Sequence, residues 1–360
     1  MTGSEQTPPP LGRPCVDGPA RDALAPEPEP VGSATRSPCG GGPAGRLDRT
    51  ARVHVAGHRG LVGSAVVREL RREGFGDLLL RSSAELDLRD RDAVRALYAS
   101  QRPAVVILAA ARVGGIAANA AQPVDFLSDN LRIQLNVLDA AREYGVQRLL
   151  LLGSSCIYPK YAPQPIPESA LLTGPLEPTN DAYAIAKIAG ILHIQALRRQ
   201  YGLPYISAMP TNLYGPHDNL DPRTSHVLPA MLARTHAARV NGAGSITHWG
   251  SGTPRREFLH TDDLARACLF LLEHYDGDDP VNVGTGEDLA LSELAGLVAG
   301  VVGYRGTITW DTTKPDGTPR KLLDVTRISA LGWKPEISLR DGIEETYAWL
   351  KTALNNRTES

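Results

Sequence analysis

The chain has little cysteine, with four among 360 residues at positions 15, 39, 156 and 268. So few thiols give no material for a disulfide framework. They do not fall at a metal-ligand spacing either, and no metal is expected. A reducing cytoplasm is the compartment that fits. Charge of one sign is lacking as well, since 38 basic residues stand against 40 acidic ones for a formal net charge of −2. That balance removes any general electrostatic reason to expect nucleic acid or an anionic membrane as partner, while leaving room for a local basic site for a small anion. Long apolar runs are missing too: VVILAAA from Val105 is among the longest, far short of the roughly 18 residues that suggest a spanning helix. Residues 1–50 lack what a core needs, holding ten prolines and eight glycines but no aromatic residue. Such a segment cannot bury enough apolar surface to offset its ordering entropy, so a disordered tail is expected. It has no apolar stretch of the kind a secretory signal carries, so export is not expected. A partner-docking arm is the other reading, and on either one Cys15 and Cys39 are bystanders.

What is present begins at Arg52. A hydrophobic content of 42% supports a sizeable core and two lobes around one cleft. A short strand, RVHVAG, leads through a glycine-punctuated turn into the helical stretch SAVVRELRREG. DLLLRS, DAVRALYAS, AVVILAA, DFLSDNLRIQLNVLDAAREYG and RLLLLGSS then alternate strand with helix. This order predicts an α/β protein with a doubly wound, Rossmann-type parallel sheet and crossover helices on both faces. Its expected extent is 51–215, with 257–285 returning to it. A smaller C-terminal substrate-binding lobe is expected from 216–256 and 286–352, closing over the carboxyl ends of the strands, where open α/β sheets bind ligands.

The first turn reads AGHRGLVGSAVV and places Gly57, Gly60 and Gly63 between a strand and a helix. Glycines there let the turn tighten, let backbone N–H groups reach a pyrophosphate and let the helix pack close with its positive end toward the anion. A dinucleotide site is therefore expected around Gly57, His58, Arg59, Gly60, Leu61, Val62 and Gly63. Which dinucleotide depends on the end of the second strand: a carboxylate there suits a ribose 2′-OH and a cation suits a 2′-phosphate. This strand ends LLLRSS, with Arg81 near that place and no carboxylate before Glu85. Arg81 and Arg59 together favour NADP. Further on, NDAYAIAKIAG carries Tyr183 and Lys187 on one face of a helix that Asn180 or Asp181 would cap. An ammonium beside a phenol, together with the positive nicotinamide of an oxidised cofactor, favours the phenolate and brings its proton into play near neutral pH. Cys156, in GSSCIYPK just behind Ser154, is either core or chemistry, and the residues alone leave that open. Cys268, in LARACLFLL, is expected in the core.

The glycine turn, the Tyr-x-x-x-Lys pair and the serine about 29 residues before the tyrosine resemble the extended short-chain dehydrogenase/reductase family over nearly all of residues 52–350. The runs AARVGGIAAN, LGSSCIYPK, PTNLYGPHDN, WGSGTP, REFLH and KPDGTPRKLLDV are similar to its branch acting on GDP-4-keto-6-deoxy-D-mannose. This resemblance implies NADPH-dependent 3,5-epimerisation and 4-reduction of that sugar, with a homodimer as the assembly. It assigns proton transfer at carbon to Cys156 and His226, proton donation in the hydride step to Tyr183, its electrostatic partner to Lys187, and the C4 oxygen to Ser154. Leu152, Gly153, Pro210, Asn212 and Leu213 join the cofactor site. Arg234, Trp249, Arg256, Asp316 and Lys321 match nucleotide-sugar-binding segments. Ser83 departs from members with a second basic residue there, which weakens the expected 2′-phosphate site. Two other readings share much of this pattern: a nucleotide-sugar 4-epimerase that retains NAD, and a non-catalytic NADP-responsive regulator.

Overall fold

The computed structural model describes residues 45–219, 225–314 and 316–358. From the amino end come β1 (Val53–Ala56), α1 (Leu61–Arg72), β2 (Leu78–Leu79), α2 (Arg91–Gln101), β3 (Val105–Leu108), α3 (Ile116–Ala121), α4 (Pro123–Glu143) and β4 (Arg148–Leu152). Next are α5 (Asp181–Tyr201), β5 (Tyr205–Pro210), β6 (Asn212–Tyr214), α6 (Val227–Val240), β7 (Ser245–Trp249), β8 (Arg255–Arg256), β9 (Phe258–His260), α7 (Thr261–His274) and β10 (Val281–Val283). Last come β11 (Leu289–Ala290), α8 (Leu291–Val302), β12 (Thr307–Asp311), β13 (Arg320–Lys321), α9 (Thr326–Ala330) and α10 (Leu339–Thr358).

Six strands form one parallel sheet in the order β10-β5-β4-β3-β1-β2, which is the doubly wound α/β architecture expected. Its strands read as unbroken apolar runs because both faces are covered. Alternation along each strand divides the side chains: Val53, Val55, Val105 and Ile107 enter the core shared with α1 and α7. Ala56, Val106 and Leu108 enter the core on the side of α4 and α5. Local chemistry sets the helix starts. Asp90 accepts from Asp92 N (3.0 Å) and Ala93 N (3.1 Å) at the head of α2, and Pro123 opens α4, where its missing N–H costs nothing. A second apolar core joins α6, α8 and α10 through Leu228, Leu232, Leu294, Val298, Ile343 and Leu350.

Some boundaries differ from the sequence reading. The strand expected over DLLLRS pairs only at Leu78–Leu79, and the last helix runs well past the expected 341–350. Residues 1–44 of the expected tail lie outside the described residues. Its last residues, however, are fastened: Leu47 is buried in the core with α1 and α7. Arg49 pairs with Glu273 and donates to the carbonyl of Glu73 (3.2 Å).

Candidate active site

The chain leaves β1 for β2 on one side and returns to β3 on the other, which opens a crevice at the strands' carboxyl ends. The turn from β1 to α1 lies there. Gly57 has φ +87°, and a Cβ on it would come within 2.8 Å of the Ala110 backbone. A Cβ on Gly63 would strike the Gly57 carbonyl. Gly60 donates to Gly57 O (3.0 Å), but its own Cβ would only touch that oxygen at 3.4 Å. Two of the three glycines are thus demanded by the turn itself, and the third leaves room for an approaching group. The N-terminus of α1 has no side-chain cap and no acidic residue in its first turn, so its positive end stays open to an anion.

Arg59 and Arg81 are both exposed at the far end of the same crevice. The nearby carboxylate, Glu85, is turned back onto Ser82, accepting from its N (2.8 Å) and Oγ (2.6 Å). These hydrogen bonds, with added help from Arg81 and Arg59, hold the Glu85 carboxyl below its ordinary value. His58 is held below its usual value by burial and by Arg59, so the imidazole is neutral beside the two guanidiniums.

At the end of β4, Gly153 N bonds Ala208 O (2.9 Å), and Ser154 Oγ accepts from Cys156 N (3.2 Å) to start a short turn of 3-10 helix, Ser155–Ile157. α5 brings Tyr183 and Lys187 to the same place. Lys187 is 3% exposed; its Nζ donates to Leu152 O (2.9 Å) and lies 5.9 Å from the centroid of the Tyr183 ring. Burial pushes the ammonium down to about 8. Burial dominates and the neighbouring Cys156 adds to it, so Tyr183 is pushed well above its ordinary value, with only the Ser154 hydroxyl opposing. Tyr183 therefore keeps its proton, as a donor must. Asn180 precedes α5 but makes no side-chain cap; its side chain hydrogen-bonds the Cys156 sulfur instead, while Asp181 accepts only from Ala182 N (2.7 Å).

Cys156 is half-buried, whereas Cys268 is buried as expected. Burial would raise the Cys156 thiol, but the charge of Lys321 and hydrogen bonds from Ser154, Lys321 and Asn180 outweigh it, leaving the thiol below its ordinary value. Lys321 Nζ stands 3.5 Å from the sulfur. His226 forms the N-cap position of α6. The protein atoms packed around its imidazole and then the Lys321 charge hold it below the usual value, although the residue keeps an exposed surface.

These groups face one cavity of about 880 Å³. Its walls include Ser154, Cys156, Tyr183, Lys187, His226 and Lys321, and at the other end Gly57, His58, Arg59, Gly60, Leu61, Val62, Gly63 and Arg81. Leu152, Gly153, Pro210, Asn212 and Leu213 complete the floor. Arg234, Trp249, Arg256 and Asp316 are not in that wall. Arg256 instead continues it, pairing in register with Lys321 across β8 and β13. Asp316 then accepts from Ser251 N (2.6 Å), and Trp249 is 68% exposed with Lys314 5.9 Å above its ring. Arg234 donates to Thr247 O (3.2 Å) in β7.

Sequence reasoning missed several wall residues. His54 lies in the middle of β1, buried, with Nδ1 2.9 Å from Tyr98 Oη, and burial pushes it down to about 4. Arg112, Asn119 and Thr211 fall within the runs AARVGGIAAN and PTNLYGPHDN, but nothing in those runs singles them out: the loop after β3, α3 and the turn after β5 bring them to the cavity. Glu257, which is outside that wall, was missed as well. Fully buried, it accepts from Thr285 N (2.6 Å), Gly286 N (2.8 Å) and Leu323 N (3.0 Å), and its carbonyl takes Asn212 Nδ2 (2.8 Å). A carboxylate in REFLH gives no hint of such distant partners.

Residues 53–284 match the model of the NAD dependent epimerase/dehydratase family. The chain is 58% identical to GDP-L-fucose synthase 1 of Arabidopsis thaliana over 310 residues, which cover 86% of this chain and 96% of that one. It is 54% identical to GDP-L-fucose synthase of Escherichia coli (strain K12), covering 83% and 96%. Among solved structures, a GDP-L-fucose synthetase from Naegleria fowleri bound to NADP superposes with a TM-score of 0.80 at 28% identity, covering 87% and 98%.

Proposed function

The chain belongs to the NAD dependent epimerase/dehydratase family, and from that membership we propose that it makes GDP-L-fucose from GDP-4-keto-6-deoxy-D-mannose with NADPH. The observation that carries the reading is the shared wall of the cavity: Cys156 and His226 stand in it together with Ser154, Tyr183 and Lys187. The C4 ketone of the sugar acidifies the hydrogens on C3 and C5, because removing either gives an enolate. Inverting a carbon needs one group to take a proton from one face and another to deliver a proton to the opposite face. A 4-epimerase that retains NAD has no use for a thiol and an imidazole in these places.

NADPH, when bound, supplies the hydride to C4. The crevice suits it: the turn at Gly57 and Gly63 admits a pyrophosphate to the open end of α1, and Arg59 and Arg81 offer a 2′-phosphate two cations while Glu85 is held by Ser82. Tyr183, kept protonated by burial, gives its proton to the C4 oxygen as that oxygen gains charge, and Ser154 holds the same oxygen. Lys187 carries its charge to within reach of the phenol while anchored to Leu152 O. Cys156 and His226 act before this step, since the ketone that acidifies the carbons is destroyed by reduction.

The GDP group would run outward from Lys321 along Arg256 toward Asp316 and Trp249, where cations meet a diphosphate and an exposed indole meets a flat base. The six-stranded sheet with residues 51–215 and 257–285 is then the cofactor lobe, and the core of α6, α8 and α10 the substrate lobe. The homodimer is proposed on the apolar side chains that α4 and α5 expose, Leu135, Ile185 and Leu192. No helix among the described residues is long and apolar enough to cross a membrane, and the cytoplasm is the proposed compartment. The test is stoichiometry: purified protein given the keto sugar should oxidise one NADPH for each product formed. Turnover without NADPH oxidation would instead favour the 4-epimerase.

A further inference from the structure

Lys321 is placed with unusual firmness for a residue on so short a strand. β13 pairs with β8 at Arg255 and Arg256. Just beyond, Leu322 N donates to Gln164 Oε1 (2.9 Å) and Leu323 N to Glu257 Oε2 (3.0 Å), and Leu322 O accepts from Ile166 N (2.8 Å). The preceding residue, Arg320, is taken up by Asp288. Lys321 alternates to the other side of the strand and puts Nζ 3.5 Å from Cys156 Sγ. Ser154, Asn180 and Tyr183 are the other polar groups acting on that sulfur, and of them all only Lys321 brings a positive charge. Lys187, the other ammonium of the site, is buried and engaged with Leu152 O.

We propose that Lys321 is a positioning residue for the epimerisation, whose ammonium seats the Cys156 sulfur and stabilises the thiolate that takes a proton from carbon. The proposal deepens the proposed function and rests on its reading of Cys156 as a proton carrier. In the step, the sulfur forms an S–H bond and the C–H bond of the sugar breaks. Its electron pair moves into the enolate and onto the C4 oxygen, where Ser154 and Tyr183 await it. No other reagent is needed. The same ammonium, after burial, disfavours an imidazolium at His226. His226, which is exposed, draws the return proton from water.

The test is alkylation of the full-length protein by iodoacetamide without cofactor, followed across pH at the Cys156 peptide by mass spectrometry. Reading that peptide alone separates Cys156 from the other three cysteines. Lys321→Gln is expected to slow alkylation at pH 7 about tenfold, and Lys321→Arg to restore it to within about threefold, with NADP binding retained by both. An unchanged rate in Lys321→Gln overturns the proposal, and so does Lys321→Arg no faster than Lys321→Gln. Should the variants fail to bind NADP, the unsubstituted protein decides. A midpoint below that of a small free thiol, about 8.5, supports the proposal, and one at or above it overturns it. Failure of the underlying reading looks different: Cys156→Ser that still exchanges protons at carbon removes the thiol from the mechanism without altering the alkylation result.

Discussion

Cys156 is under two opposed influences, burial that favours the thiol and a cation at 3.5 Å that favours the thiolate. The cation and the hydrogen bonds win, and that gives the residue a job an apolar filler could not do. Cys156→Ser should slow solvent exchange at C3 and C5 by about a hundredfold or more, the size expected for loss of a general base. NADP binding, read by calorimetry, should persist, because the cofactor turn lies at the other end of the cavity. Lys187 gives a pH prediction. Its folded value, about 8, lies below its ordinary 10.5, so between those pH values the unfolded chain holds a proton that the folded chain does not. Stability then rises with pH across that window. The unfolding free energy of the unsubstituted apoprotein relative to Lys187→Met should climb by about 3 kcal/mol from pH 8 to 10.5, measured in urea; a flat difference would mean the ammonium is better solvated than its burial implies. Tyr183 and Lys187 were legible in the sequence from their helical spacing. The electrostatics between them were not, because the burial that dominates comes from the packing of α5 against the sheet. The Lys321 contact was equally hidden, at a sequence separation of 165 from the thiol.

Among the elements, the β1–α1 turn separates the roles of its glycines. Gly63→Ala should lower both stability and NADP affinity, since its methyl meets the Gly57 carbonyl. Gly60→Ala should leave the melting temperature within a degree or two and weaken NADP about tenfold, the methyl standing where the pyrophosphate approaches. Equal effects in both assays for the two variants would contradict this division. The pattern G-x-x-G-x-x-G is local, so the turn was readable; which glycine meets which backbone atom depends on β3 arriving alongside. Glu257 shows the limit from the other side. It joins β9, the turn after β10 and the segment after β13 through three backbone N–H groups. Glu257→Ala leaves those donors buried without an acceptor and should cost about 3 kcal/mol in urea unfolding. The order of strands and helices around it could be read from alternating apolar runs, whereas two-residue strands such as β8 and β13 are too short to give a pattern.

In the molecule as a whole, the folded body includes two residues that composition assigns to the tail, Leu47 and Arg49. A chain beginning at residue 45 keeps both contacts. One beginning at residue 51 loses Leu47 from the core and Arg49 from Glu273, and should be less stable by about 2 kcal/mol. Calorimetry on the two truncations separates them, and identical melting would return the boundary to residue 50. The parallel sheet was legible because its strands are buried on both faces. The placement of α7 and β10 against it was legible only as a return of the strand–helix rhythm.

The most direct test of the account is the reaction in deuterated water with NADPH and GDP-4-keto-6-deoxy-D-mannose, the product read by NMR at each carbon. Thiol and imidazole working on opposite faces of the ring predict solvent deuterium at both C3 and C5, and hydrogen from NADPH at C4. Product that carries protium at C3 and C5 would contradict the account.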